Sequence, residues 1–241
     1  SLAGARRGLA GRCSGAFWGF IAALKGLGAR RPPLVMLENV TGFLSSHNGA
    51  DFRDACQALN ALGYAVDAFI IDAALFVPQS RKRLFLIGRR RQIKTARATR
   101  TPSVAPSQLR PRALADFMSS APGIRWDIRR LPPIAPAPAT LADILEDIPA
   151  SSARWWSRPR TKYLLSQMSD KHRAIASQMT AGEETSYGAI FRRIRNGTTK
   201  AELRTDGLAG CLRTPRGGSG RQILFAAGKG RCAVRLLTPR E

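Results

Sequence analysis

The chain has 241 residues, with 39 Lys and Arg against 16 Asp and Glu and a formal net charge of +23. This excess indicates a polyanionic partner, with nucleic acid as the first candidate and a membrane surface or a merely soluble basic protein as the alternative. No apolar run reaches transmembrane length, and no signal peptide opens the chain. The four cysteines (Cys13, Cys56, Cys211 and Cys232) do not have the spacing of metal ligands, so we expect no metal site. Because they are few and irregularly placed, we expect the protein to work in a reducing cytoplasm.

The first ninety residues predict alternating helices and strands. A fully apolar run after Pro32 and Pro33 is typical of a buried parallel strand. The predicted elements are a helix at 14–27, a strand at 34–37, a helix at 51–62, a strand at 64–71, a turn at 72–78 and a strand at 83–88. This order predicts an α/β sheet with helical crossovers.

The composition changes near residue 92. Eight of the fifteen prolines fall in residues 99–140, which excludes a continuous helix or a central strand there. We therefore predict a proline-rich, partly extended linker over 93–140. Helices are predicted at 141–148 and 162–179, the second with a break at Ser169, and short strands and loops follow.

A glutamate stands directly after the first predicted strand, in the sequence Glu38-Asn39-Val40. In open α/β sheets, ligands bind at the carboxyl ends of strands, so Glu38 is a candidate acid, base or hydrogen-bond donor. A solvated or capping carboxylate is the alternative.

Two arginines alternate just before the third predicted strand, in the segment that runs from Gln79 and Ser80 to Arg83. In extended backbone, Arg81 and Arg83 project to the same side. Two guanidinium groups on one face could hold a carboxylate, a phosphate or a base edge. A solvated basic cluster is the alternative.

A glycine-rich stretch and a closing motif complete the pattern. Glycines let a backbone approach a ligand closely, and Arg and Gln can read base edges in the major groove; a flexible loop is the alternative. The candidate DNA-reading residues are Arg213, Thr214, Arg216, Gly217, Gly218, Ser219, Arg221 and Gln222. Residues 235–241, RLLTPRE, are typical of the start of a helix.

Taken in order, these motifs resemble the bacterial DNA cytosine-5 methyltransferases. LENVTGFL resembles that family's Glu-Asn-Val motif, and QSRKRLFLIG resembles its Gln-x-Arg-x-Arg motif. GLAGCLRTPRGGSGRQ is similar to the glycine-rich part of a target recognition domain, and VRLLTPRE to the motif that ends that domain. The opening SLAGARRGLAGRCSGAFWGF looks like the segment that follows the Pro-Cys-Gln nucleophile motif.

The resemblance implies methylation of cytosine carbon 5 in double-stranded DNA, with base flipping and a covalent cysteine adduct. By motif match, Glu38 would hydrogen-bond N3 and the exocyclic amine of the flipped cytosine, supported by Asn39 and Val40. Arg83 would contact the cytosine O2, and Arg81 would help to position the base. Gln79 and Ser80 would lie close to the DNA, residues 213–222 would choose the sequence, and Phe17 would touch the cofactor.

The implied co-substrate is S-adenosyl-L-methionine. No Pro-Cys-Gln occurs in the chain, so we expect the nucleophile, most of the cofactor site and the C-terminal cofactor helix to lie outside it, and these 241 residues alone to be inactive. We expect an enzyme that is monomeric at full length and that binds double-stranded DNA. We expect a cognate restriction endonuclease as its functional partner and no association with a membrane.

The implied fold is part of a Rossmann-like methyltransferase sheet plus a smaller, irregular, mostly β target recognition domain. The expected organisation is a catalytic part at 1–92, the linker at 93–140, the target recognition domain at 141–232 and a return segment at 233–241. Two alternatives stay open: a non-catalytic DNA-binding half of a split or decayed methyltransferase, and an RNA-binding protein or RNA methyltransferase.

Overall fold

The chain folds into two compact units. The first, unit 1, comprises Ser1–Asp72 with Lys82–Pro133, and the second, unit 2, comprises Ala73–Arg81 with Ile134–Glu241. No helix in the described part of the chain is long and apolar enough to cross a membrane. The computed structural model describes residues 15–90, 103–135, 139–195, 197–212 and 221–241.

The elements of unit 1 are α1 (Gly15–Gly26), β1 (Leu34–Val40), α2 (Ala50–Ala61), β2 (Tyr64–Asp72), β3 (Lys82–Arg90) and α3 (Arg112–Ser120). Its three strands form one sheet with the order β1-β3-β2. Both pairings are antiparallel, so β1 and β2 run in the same direction but are separated by β3. The prediction of a parallel strand at 34–37 was wrong, because β3 returns antiparallel between the two strands that α2 connects.

The core of unit 1 lies on one face of this sheet. Alternate strand residues such as Val35, Val66 and Leu84 pack there against apolar side chains of α1, α2 and α3. On the opposite face, β1 is open among the described residues, with Leu34 57% exposed and Met36 63% exposed, whereas Asp67 of β2 is buried against Arg110. The expectation that β1 is buried was therefore wrong, since an apolar run reveals strand tendency but not which faces are covered.

The described part of the predicted linker differs from an extended connection. Helix α3 follows Pro111, and its Leu114 and Met118 are fully buried in the core of unit 1. The backbone N–H of Ile70 donates to the Leu109 carbonyl at 2.7 Å, which fixes the segment to β2. The prolines interrupt regular structure in this region, but the apolar residues within 112–120 recur at helical spacing and form a helix face that packs on the core.

The elements of unit 2 are α4 (Arg158–Ser166), α5 (Asp170–Ala181), β4 (Ser186–Arg195), β5 (Thr198–Arg204), β6 (Ile223–Gly228) and β7 (Arg231–Leu236). Its four strands form an antiparallel sheet with the order β5-β4-β6-β7. Leu164 and Ala176 of its two helices pack against one face of the sheet. The predicted break in the long helix is confirmed, with Ser169 at the N-cap of the second helix.

The helix predicted at 141–148 is reduced to one 3₁₀ turn, Ala142–Ile144, because Leu145 has extended backbone angles. Beside this segment lies a buried ion pair between Arg235 and Glu241, whose side chains are 1% and 0% exposed. Glu241 also accepts hydrogen bonds from the backbone N–H groups of Glu146 and Thr238. The closing motif thus ties β7 to residue 146 within unit 2.

Candidate active site

The candidate site in unit 1 lies on the open face of the three-stranded sheet. Because side chains alternate along a strand, Glu38 projects to the side opposite the buried Val35. In the register of β1 with β3, Phe85 stands opposite Glu38 and Arg83 stands opposite Val40. Glu38 and Arg83 are therefore diagonal neighbours on one face, within reach of long side chains.

Glu38 and Arg83 form an ion pair, with 3.0 Å between Arg83 Nε and Glu38 Oε1. The Glu38 side chain is 46% exposed, whereas that of Arg83 is 18% exposed. Arg83 also donates from a terminal nitrogen to the Lys82 carbonyl at 2.8 Å. The guanidinium group is thus fixed beside a carboxylate that still faces solvent, so the pair can present both a hydrogen-bonding carboxyl and a cation to a polar ring.

Asn39 has a local structural role. Its Oδ1 accepts a hydrogen bond from the backbone N–H of Val40 at 2.8 Å, which shapes the end of β1. An aromatic neighbour was missed in the sequence: Phe85 stacks on Phe69 of β2, with 5.5 Å between ring centroids. Its position two residues after Arg83 in β3 was the available signal, since it shares that face of the strand.

The other predicted arginine, Arg81, precedes β3 and belongs to unit 2. One of its terminal nitrogens lies 3.3 Å from Cys211 Sγ and 3.4 Å from the Leu212 carbonyl oxygen. The backbone N–H of Ser80 donates to the Ala209 carbonyl at 2.9 Å, and Gln79 forms a parallel bridge with Ala209. The predicted segment is therefore divided: Arg83 accompanies Glu38, and Arg81 accompanies residues 209–212.

The glycine-rich candidates fall largely outside the described residues, which stop at Leu212 and resume at Arg221. Arg221 is exposed, as expected of a DNA contact. Gln222 differs from the expected base reader: it is 5% exposed, and its Oε1 accepts the backbone N–H of Gly210 at 2.9 Å. The residues outside the description are Arg213, Thr214, Arg216, Gly217, Gly218 and Ser219.

The predicted cofactor contact, Phe17, packs against the core of unit 1 and lies edge-on to Trp18, with ring centroids 5.0 Å apart. Cys56 is fully buried, and burial raises the pKa of its thiol far above its usual range. A protonated, enclosed thiol is not a nucleophile, which agrees with leaving Cys56 without a catalytic role. Cys13 lies outside the described residues.

Comparison with known proteins adds an independent finding. Over 120 residues, which are 49% of this chain and 26% of the relative, the chain is 33% identical to the Type II methyltransferase M.AgeI of Thalassovita gelatinovora. Over 83 residues, 31% of this chain and 18% of the relative, it is 39% identical to the DNA-cytosine methyltransferase of Escherichia coli strain K12. The chain thus spans about a quarter of the length of the first relative and less of the second.

The match to a family is broader than the match to any of these relatives. The family model described as C-5 cytosine-specific DNA methylase matches residues 1–241. That range includes the Glu38–Arg83 pair of unit 1 and the buried Arg235–Glu241 pair of unit 2. The chain belongs to the C-5 cytosine-specific DNA methylase family.

Proposed function

We propose that this chain is part of an enzyme that methylates carbon 5 of cytosine in double-stranded DNA, within a specific sequence. Family membership supports the reaction class, and the net charge of +23 suits a polyanionic substrate. The observation that carries the proposal is the Glu38–Arg83 ion pair on the open face of the unit 1 sheet, at the two positions that match the family's motifs.

Glu38 and Arg83 have complementary roles in this proposal. A cytosine must leave the base stack before its ring can be attacked, and the flipped base is held by its polar edge. Glu38 accepts a hydrogen bond from the exocyclic amine, and a proton shared between its carboxyl group and N3 offsets the negative charge that develops on the ring when a cysteine thiolate adds to carbon 6. Arg83 donates to the cytosine O2 and orients the Glu38 carboxyl through the 3.0 Å contact.

The family resemblance implies S-adenosyl-L-methionine as the methyl donor, and that molecule supplies the methyl group when it is bound. Phe17, a partly buried side chain that packs against the core of unit 1, is proposed to contact the donor. The thiolate nucleophile is proposed to lie outside the described residues.

Unit 2 is proposed as the target recognition domain, and unit 1 as part of a Rossmann-like catalytic domain. The exposed Arg221 and the glycine-rich residues 213–220 are proposed to face the DNA. The Type II names of relatives suggest that the protein works in a restriction-modification system. We propose that setting, with a cognate endonuclease as the functional partner.

The test uses the complete reading frame that contains these residues. Glu38→Gln is expected to lower methyl transfer by about a hundredfold or more, the size expected from removing one charge-stabilising donor, while DNA affinity stays within a few-fold. Glu183→Gln, at an exposed position of unit 2, is the matched control. Transfer of labelled methyl groups and fluorescence anisotropy give the two readouts. Full activity in the Glu38→Gln variant would disprove the proposed role.

A further inference from the structure

The helices of unit 2 carry a cluster of exposed cations, which we call the basic helix surface. It consists of Arg158, Arg160 and Lys162 on α4 and Lys171 in the first turn of α5. The acidic side chain among residues 158–171 is Asp170, and it pairs with Arg173. Within the described part of the chain, none of the four cations forms an ion pair, so their charges are available to an external anion.

Other cations of unit 2 have carboxylate partners. In the sheet, Arg193 lies 2.9 Å from a carboxylate oxygen of Glu202, and Arg204 lies 2.5 Å from one of Asp206. The contrast shows that the basic helix surface is not simply a sample of the protein's basic composition. Its positive charge is concentrated on a short stretch of helix without local compensation.

Arg160 is held in place by an aromatic ring. Its guanidinium carbon lies 3.8 Å from the centroid of the Trp156 ring. Trp156 packs against the core of unit 2, and its backbone N–H donates to the Val234 carbonyl of β7 at 2.8 Å. A stacked guanidinium keeps N–H groups at its edge that can donate to a phosphate. Because the ring already restricts the Arg160 side chain, less conformational entropy is lost when an anion binds.

A role in stabilising α4 does not explain these arginines. The first turn of α4 contains no acidic residue, and it begins at Arg158. Cations near the amino end of a helix oppose the helix dipole, so they lower the stability of the helix. The packing of α4 comes instead from residues on its inner side, where Thr161 and Leu164 are buried.

The basic helix surface lies apart from the candidate site residues of unit 2. Helix α4 packs through Leu164 on the sheet face that carries Ile190. Ala209, which forms a bridge with Gln79, packs on the other face with Ala189. Adjacent residues of β4 point to opposite faces of the sheet, so the helices and the Gln79 segment lie on opposite sides of it. An anion on the helices is therefore additional to any ligand of that segment.

We propose that the basic helix surface binds backbone phosphates of duplex DNA outside the target sequence. This inference rests on the proposed function, which supplies DNA as the polyanion. Arg158 and Lys162 are one helical turn apart, and Tyr163 beside them is 65% exposed. Arginine, lysine and tyrosine side chains are common donors to phosphate oxygens, and such contacts carry no sequence information. They strengthen binding to all sequences alike and let a protein slide along DNA.

The experiment uses the complete reading frame and two variants that lose the same charge. The helix-surface variant carries Arg158→Gln, Arg160→Gln and Lys162→Gln. The control variant carries Lys25→Gln, Arg112→Gln and Arg231→Gln, at exposed positions on other elements. A third variant, Arg158→Lys with Arg160→Lys, keeps the charge. Urea unfolding verifies that each variant is folded.

Fluorescence anisotropy measures Kd over a range of salt concentrations. One duplex carries the target site, taken from DNA that the wild type methylates or selects by binding, with flanks of about three helical turns, or about 30 base pairs. A second duplex has the same length without the target site, and a third is a short duplex limited to the target site.

For both long duplexes, we expect the helix-surface variant to lose about tenfold or more in affinity at about 0.1 M salt. The slope of log K against log salt should fall by about 2–3, because each lost phosphate contact removes about 0.9. The control variant should lose less than about 1 in slope, and the lysine variant should keep most of the wild-type slope. Equal losses in the two glutamine variants, or a loss confined to the target sequence, would overturn the inference.

The short duplex identifies the source of the phosphates. If they flank the target on the same duplex, the helix-surface variant should bind the short duplex as tightly as wild type does. If they belong to a second duplex, the wild type but not the variant should join two labelled duplexes, detected by energy transfer between the labels. The absence of both effects would contradict the proposal. Lost affinity for a structured RNA at unchanged DNA affinity would make RNA the partner and would also overturn it.

Failure of the proposed function gives a different pattern. If the wild type transfers no methyl group, the proposed reaction fails, but the salt slopes on the duplex without the target site still test the surface. If the wild type methylates DNA and the helix-surface variant keeps the wild-type slope, the proposed function stands and this inference is wrong.

Discussion

The buried ion pair of unit 2 allows a quantitative prediction for Glu241→Gln. Glu241 Oε1 accepts from the Glu146 N–H at 2.7 Å and from Arg235 at 2.5 Å, and Oε2 accepts from the Thr238 N–H at 2.8 Å and from Arg235 at 2.6 Å. Glutamine retains one acceptor oxygen and replaces the other with a donor that faces existing donors. The buried Arg235 charge is then uncompensated, which is expected to cost about 3–5 kcal/mol.

The pH dependence of this contribution follows from the same contacts. Burial by itself raises the pKa of the Glu241 carboxyl, but the hydrogen bonds from Arg235, Thr238 and Glu146 and the charge of Arg235 outweigh burial and hold that pKa below its usual range. Because the folded-state pKa is lower than the unfolded one, the stabilisation is fully present above the unfolded pKa. It is lost as the pH falls through the folded pKa.

Urea unfolding of the 241-residue chain measures the effect. Trp155 is a suitable fluorescent reporter, because the Arg235 guanidinium lies 5.3 Å from its ring centroid. The control is Asp206→Asn, which breaks a partly exposed pair with Arg204 and should cost less than about 1 kcal/mol. If Glu241→Gln shifts the midpoint no more than the control does, or if the variant keeps the wild-type acid sensitivity, the reasoning about the buried pair is refuted.

Three further predictions concern the core, the site and the DNA contacts. Met118→Ala should lower the free energy of unfolding of unit 1 by about 2–5 kcal/mol in urea, because α3 is part of the core. Asp116→Ala, on the exposed side of α3, should change that free energy little. Equal effects of the two substitutions would indicate that α3 is only loosely attached. Arg83→Lys should lower kcat about a hundredfold, because lysine lacks the planar guanidinium group that pairs with Glu38, whereas Arg112→Lys at an exposed position should retain activity. An Arg83→Lys variant as active as wild type would show that Arg83 is not part of the site. Arg221→Ala should relax sequence choice if the exposed side chain reads a base, whereas a loss of about one unit of salt slope at constant sequence choice would identify a phosphate contact.

The sequence by itself determined the local elements and the family. Helices α1 and α2, strands β2 and β3 and the break at Ser169 follow from apolar spacing, capping residues and turn residues, which act over a few positions along the chain. The motifs around Glu38 and Arg83 led to the family that the comparison shows. The order of the motifs is a property of the sequence and can be recognised without the tertiary structure.

The tertiary structure alone decided which residues meet. The antiparallel return of β3 between β1 and β2 brings Arg83 beside Glu38, and no local propensity specifies that pairing. Proline content could not reveal that Leu114 and Met118 are core residues, because burial depends on distant partners. Folding also brings Arg81 next to residues 211 and 212, and it buries Gln222 against Gly210. These positions are separated in the sequence, so local patterns could not predict their contacts.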